Sequence, residues 1–164
     1  MPDRENTGRQ ASVDGFAHEH IVVGILMKKY QNVSLVDLPL STYDIIIALP
    51  KENDAEEIIR AQVKTAQKSI SFTGGVRGGV DREYKSDVKK YKQSTLTSDV
   101  VIGLHPLGND SFELYFVPTT LIEILDQDSI SLNKIQFLKN NYKILEKCKD
   151  ANFVAQVCQK AKII

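Results

Sequence analysis

Tyr43-Asp44-Ile45-Ile46-Ile47-Ala48-Leu49 and Ile58-Ile59-Arg60-Ala61-Gln62-Val63-Lys64-Thr65-Ala66 are two apolar runs, the first closed by Pro50 and the pair joined by the polar stretch from Lys51 to Glu57. Short apolar runs separated by a polar, turn-rich connector predict two strands of a hairpin. Side chains alternate along a strand, so Arg60, Gln62 and Lys64 share one face while Ala61, Val63 and Thr65 share the other. A polar triplet thus projects from a strand otherwise suited to a core, and Asp44 lies on the neighbouring strand.

The rest of the chain reads outward from that hairpin. Residues from about Asp14 to Tyr30 contain no proline and carry Phe16, Ala17, Ile21, Ile25 and Leu26 at helical spacing, with Asp14 or Ser12 as cap. Ser69-Ile70-Ser71-Phe72 is a short alternating run, and Glu83 to Ser94 reads as a polar helix. Asp99 to Leu104 reads as a buried strand and Phe112 to Val117 as another, with Pro106 to Asp110 as the turn and Pro118 as the stop. Ile135, Leu138, Tyr142 and Leu145 recur at spacings of three, four and three, which predicts one helix from about Asn133 to Lys147. Its stripe reads as core packing, with a dimer interface through Leu138 and Leu145 as the second reading.

Asp44, Gln62 and Lys64 have a chemistry in common. Phosphodiester hydrolysis uses a divalent cation to stabilise charge on the phosphate and activate water, together with a cationic group near the reacting oxygens. Mg²⁺ needs only one or two carboxylates, an amide or carbonyl oxygen and water, so Asp44 and the Gln62 amide suit it and Lys64 supplies the cation.

This set resembles the catalytic residues of the PD-(D/E)xK nuclease superfamily, in the branch that has Gln where most members carry Glu or Asp. That branch includes small homing endonucleases and some restriction and junction-cleaving enzymes. Tyr43 stands where the eponymous Pro would be. The resemblance covers roughly residues 14 to 118 and implies an α/β fold with a mixed central sheet, built from a helix, a three-stranded meander, a crossover helix and a further strand. It makes Glu83 to Ser94 the crossover helix, and the strand ending in Val117-Pro118 is similar to one in homing-type relatives. It also implies a glutamate from the first helix, Glu19, so that Glu19, Asp44 and Gln62 bind Mg²⁺ or Mn²⁺ and Lys64 completes the catalytic set. On this division residues 1–13 form a polar arm, 14–125 the nuclease core and 126–164 a C-terminal helical extension of the same domain.

Charge is balanced at 21 basic and 21 acidic residues, which taken alone argues against a nucleic-acid partner. Its distribution argues the other way: nine basic and three acidic residues from Arg60 to Lys92 give a local +6, offset by −6 elsewhere. A basic segment beginning at the hairpin suits a phosphate backbone. Arg60, Lys68, Arg77, Arg82, Lys85, Lys89 and Lys90 are therefore the expected DNA contacts, and Arg77 sits in a Gly-rich stretch, Gly74 to Gly79, where it could read guanine. That stretch lacks the Lys-Ser/Thr ending of a Walker loop.

His18 and His20, two apart on a helix, point to different faces and make a poor zinc pair. Cys148 and Cys158 read as packed thiols rather than a disulfide framework. No stretch has the length of a membrane span and the first ten residues lack a signal-peptide pattern, so an intracellular protein with no membrane partner is expected. The reading that joins these features is a Mg²⁺-dependent, sequence-specific DNA endonuclease of type II restriction or homing type, acting on double-stranded DNA as a homodimer or higher homo-oligomer. A Holliday-junction resolvase and a non-catalytic DNA-binding module, in which Gln62 marks decay of the site, are the alternatives.

Overall fold

The hairpin forms as the alternation requires and lies at the centre of a mixed sheet. The computed structural model describes residues 4–38, 40–75 and 90–164. It runs α1 (Arg4–Met27), β1 (Asn32–Leu35), β2 (Ile45–Pro50), β3 (Glu56–Thr65), β4 (Ser69–Ser71) and β5 (Thr73–Gly75). Beyond residues 76–89 come β6 (Lys90–Lys92), β7 (Val100–Gly108), β8 (Ser111–Pro118), α2 (Thr119–Leu125) and β9 (Ser129–Ser131). A 3₁₀ segment (Leu132–Leu138), α3 (Tyr142–Glu146) and α4 (Ala151–Lys160) complete the chain.

The five-stranded sheet has the order β1-β2-β3-β7-β8. β1, β2 and β3 form an antiparallel meander, β7 joins β3 in parallel, and β8 returns antiparallel to β7. Val100, Val101, Ile102 and Leu104 on β7 are completely buried, as expected for a parallel strand covered on both faces. The β7–β8 hairpin turns later than the sequence suggested. Pairing persists to Gly108 and Ser111, with an irregularity between Pro106 and Gly108 where proline cannot donate to the ladder. Asn109 and Asp110, at φ 51° and 57°, make the two-residue turn, the left-handed pair that matches strand twist.

Three expectations change. α1 starts at Arg4, so the expected polar arm is helical over its described residues. Ser12 and Asp14 lie inside it: the Ser12 hydroxyl donates to the Gly8 carbonyl, and Asp14 accepts from Gln10 one turn back. Such i to i+4 bonds continue the helix through residues that would otherwise cap it. Val22 and Leu26 bury its C-terminal half, and the Tyr30 hydroxyl donates to Glu146 at 2.9 Å, tying the end of α1 to α3.

The second change concerns the helix expected from Glu83 to Ser94. Residues 83–89 lie outside the described part of the chain, and Lys90–Lys92 is a strand paired with Thr73–Gly75. Third, the single helix expected from Asn133 to Lys147 is a 3₁₀ segment and a short helix broken at Asn140, which adopts φ 50°. Asn140 exchanges hydrogen bonds with Leu114 on β8, and Asn141 caps α3, so two adjacent asparagines satisfy backbone groups that a continuous helix would have consumed. Ile135, Leu138 and Leu145 are completely buried in this protomer's own core, which rules out the interface expected through Leu138 and Leu145. Cys148 and Cys158 are buried free thiols, and burial pushes them up to about 12 and about 11. Among the described residues no helix is long and apolar enough to cross a membrane.

Packing between the central sheet and the smaller elements is tight at Gly103, the partner of Lys64 across β3 and β7. A Cβ there would lie 2.5 Å from Ile70 Cδ1 and 2.9 Å from its Cγ1, whereas one at Gly24 on α1 would meet nothing within 4 Å. Gly103→Ala should therefore cost about 1–3 kcal/mol through overpacking. Gly24→Ala should stabilise by up to about 1 kcal/mol through helix propensity. Denaturant melts of the two variants check both signs.

Candidate active site

Register places Asp44 beside the polar triplet. Ile45 faces Ala61, and the Asp44 amide donates to the Ala61 carbonyl at 2.8 Å, extending the β2–β3 ladder by one residue. The Asp44 carboxylate then reaches along β3. Its Oδ2 accepts the Val63 backbone N–H and the Gln62 Nε2, each at 2.8 Å. Because a carboxylate accepts, the Gln62 amide presents its nitrogen to Asp44, and its Oε1 makes no hydrogen bond among the described residues. Gln62 and Lys64 are half-buried while the alternate residues Ala61 and Val63 are buried, the alternation expected of a strand with one polar face.

Lys64 donates from Nζ to the Thr73 carbonyl of β5 at 3.1 Å. Burial pushes its pKa down and the charge of Asp44 opposes that shift. Asp44 is pushed up by burial, with the Val63 N–H and then Lys64 pulling the other way. Glu19 is half-buried on α1 and ionises at about 7, raised first by burial and then by the charge of Asp44, with His20 lowering it. Two carboxylates thus share one partly desolvated region with a single lysine. His18 shares a 2.6 Å hydrogen bond with Thr65 at the end of β3, which fixes α1 one residue from Glu19, and His20 bonds the Phe16 carbonyl on its own helix.

Among the described residues no three His, Cys, Asp or Glu side chains group as a metal cage. What Glu19, Asp44 and Gln62 offer is a set of oxygen donors with two mutually repelling carboxylates. Hard cations that keep several waters, Mg²⁺ or Mn²⁺, would suit that donor set, and their charge would offset the burial and, after it, the Asp44 repulsion that lift Glu19.

No family model and no curated protein matches the sequence. The solved structures give a different result. The fold resembles that of a bacterial homing endonuclease. The match, to I-Ssp6803I, has a TM-score of 0.51 at 13% sequence identity and covers 74% of this chain and 76% of that one. It shows a shared α/β fold with a mixed central sheet and C-terminal helices, while the site rests on the geometry of this chain's own residues.

On this homing-endonuclease-like fold the remaining candidates disperse. Arg60 follows the alternation, but its guanidinium grips Asp99 through Nε and Nη2, at 3.2 and 2.9 Å, and donates to the carbonyls of Thr95 and Leu96. It braces β3 against the start of β7, a role no local pattern could reveal because its partner lies 39 residues away. Lys68 is exposed beside another cleft, lined also by His105, Glu113, Gln136 and Lys139. Arg77, Arg82, Lys85 and Lys89 lie outside the described residues, and Lys90 opens β6. A residue not expected here, Tyr91, also bears on the site: burial and then the charge of Asp44 push its phenol upward.

Glu19 ionises at about 7 in the folded protein against an ordinary value of 4.5. The folded state therefore holds this proton more tightly than the unfolded chain, so the group's contribution is complete below about pH 4.5, fades as pH rises and is gone above about pH 7. In metal-free buffer Glu19→Gln should melt above the wild type at about pH 8 and alongside it near pH 4.5. A pH-independent difference between the two melting curves would contradict burial and Asp44 as the cause.

Proposed function

We propose that the protein is a Mg²⁺-dependent endonuclease hydrolysing phosphodiester bonds in double-stranded DNA, sequence-specific in the manner of restriction or homing enzymes. It would belong to the PD-(D/E)xK type, with Gln62 in place of the usual acid. The observation that carries this reading is the convergence of Asp44, Gln62 and Lys64 on one hairpin, with Glu19 electrostatically coupled to Asp44. Resemblance in fold to a bacterial homing endonuclease supports it.

A divalent cation held by Glu19, Asp44 and the Gln62 amide oxygen would stabilise charge on the phosphate and make bound water more acidic. The chain's own residues supply the rest. Asp44 is oriented before any substrate arrives, because the Val63 N–H and Gln62 hold Oδ2. Lys64 brings an ammonium to the same region, tethered by the Thr73 carbonyl, where it can stabilise charge on a phosphate oxygen. The basic segment from Arg60 to Lys92 would hold the duplex. One centre cuts one strand, so double-strand cleavage at a symmetric site calls for a two-fold pair of subunits, with an interface away from the buried Leu138 and Leu145.

Asp44→Ala and Lys64→Ala should each lower cleavage by at least about a hundredfold with the fold intact. Incubation with plasmid and genomic DNA plus Mg²⁺, followed by sequencing of the ends, reads both the activity and the site. Gln62→Glu should retain a rate near wild type with altered metal preference. Wild-type-like cleavage by Asp44→Ala would remove the assignment, and nicking confined to four-way junctions would redirect it to a resolvase.

Affinity tests the duplex contact separately. Replacing Lys89 and Lys90 with Ala should weaken binding to every sequence alike and flatten its dependence on salt by up to about one log-log unit for each phosphate left without its cation. An unchanged slope would place the DNA elsewhere.

A further inference from the structure

The two-stranded ribbon of β5 and β6 is tied to the hairpin that carries Asp44 and Lys64 through Thr73, and it is anchored at its base. Lys64 bonds the Thr73 carbonyl at 3.1 Å, the Gln93 amide donates to the Phe72 carbonyl at 2.7 Å, and the Phe72 amide donates to Asp128 at 2.8 Å. Lys92 adds an ion pair with Asp126 at 2.8 Å. Phe72 itself is completely buried. The position of whatever side chain this base carries toward the site is therefore fixed by the core.

That side chain is Tyr91. It pairs with Gly74 across the ribbon, and its ring folds over the glycine so closely that a Cβ at position 74 would lie 2.6 Å from Cζ and 2.7 Å from the hydroxyl oxygen. Glycine is required at 74 for the phenol to take this place. The hydroxyl feels the negative charge of Asp44. Two residues further on, just past the end of β6, Gln93 is almost completely buried, and its Oε1 accepts the hydroxyls of Thr97 and Ser98 at 2.7 and 2.8 Å. Its amide nitrogen is therefore a donor without a well-formed hydrogen bond among the described residues, yet close enough to the Tyr91 oxygen to favour the phenolate. An amide donor beside that oxygen leaves the phenol proton for another acceptor.

We propose that Tyr91 is a further catalytic residue of the site, its hydroxyl donating a hydrogen bond to a non-bridging oxygen of the scissile phosphate. This rests on the nuclease reading. Asp44 and Glu19 would repel a phosphate in the absence of a cation, and Lys64 is shared with the Thr73 carbonyl, so a neutral donor on the ribbon adds stabilisation that increases as charge gathers on the phosphate oxygens. Burial and Asp44 both raise the phenol, so it remains protonated and able to donate through the physiological range.

Tyr91→Phe removes the hydroxyl and keeps the ring over Gly74. Single-turnover cleavage at saturating DNA with Mg²⁺ should fall on the order of a hundredfold, while duplex affinity without divalent metal and the melting temperature stay near wild type. A phosphorothioate at the scissile position is a weaker acceptor, so the thio effect of one diastereomer should be smaller in Tyr91→Phe than in the wild type. Gly74→Ala, which displaces the ring and leaves the hydroxyl chemistry intact, should lose cleavage in the same way. If the wild type and Tyr91→Phe cleave equally, with equal thio effects, the ring is only a cover for Gly74 and this proposal is overturned while the nuclease reading stands. If the wild type cuts no DNA with Mg²⁺ or Mn²⁺, both are overturned.

Discussion

Asp99 accepts both the backbone N–H and the guanidinium of Arg60, while its own amide donates to the Arg60 carbonyl at 2.8 Å. This clasp begins the parallel pairing of β3 with β7, which then runs from Ala61 opposite Val100 to Thr65 opposite Leu104. Parallel strands have no tight turn to set their register, so something else must. A slip of one residue would send Gln62 and Lys64 to the other face and bury a lysine among isoleucines and valines. Asp99 is almost fully buried and its charge is tolerated because Arg60 meets it with bidentate geometry. Removing Arg60 would leave the buried Asp99 carboxylate without its cation, whereas Arg60, partly exposed, could turn to solvent if Asp99 were lost.

The site inherits its electrostatics from that placement. β3 is central, with β2 and β7 on either side, and its outward residues still lose part of their hydration under α1 and the β5–β6 ribbon. Burial lifts Glu19 and Asp44 and lowers Lys64, all toward neutrality, while attraction between Asp44 and Lys64 pulls both back toward charge. Glu19 gains little from that attraction and shifts furthest, to about 7. In the proposed enzyme, a Glu19 that gave up its proton to a cation would couple metal binding to pH in the neutral range.

The strands are legible as short apolar runs bounded by turn residues, with a period of two clear from Arg60 to Lys64: Tyr43 to Leu49, Ile58 to Ala66, Asp99 to Leu104 and Phe112 to Val117 all lie within or against observed strands. The same period puts Gln62 and Lys64 on one face and makes Asp44 their neighbour. What escapes depends on partners distant in sequence or on single backbone angles. β1, only Asn32 to Leu35, has too few apolar residues to announce itself, and it forms because β2 offers a free edge. The helix expected across Asn133 to Lys147 has the right apolar spacing, but Asn140 takes the left-handed conformation and spends its hydrogen bonds on Leu114. No local pattern marks Tyr91, because its meaning comes from Gly74, paired with it across residues whose sequence reads as loop and helix.

Counting charges along the chain also overstates what is free to meet a partner. Of the nine basic residues from Arg60 to Lys92, Arg60 is held by Asp99, Lys64 by the Thr73 carbonyl, and Lys92 by Asp126 with Asp128 at 3.6 Å. These three are held by partners within the fold. Lys68 lies beside a different cleft, and Arg77, Arg82, Lys85 and Lys89, expected from the sequence as DNA contacts, lie outside the described residues. The described chain stops at Gly75 and resumes at Lys90, next to Gly74 and Tyr91 in the ribbon. In the proposed enzyme the expected basic contacts are therefore connected along the chain to the two short strands that carry Gly74 and Tyr91.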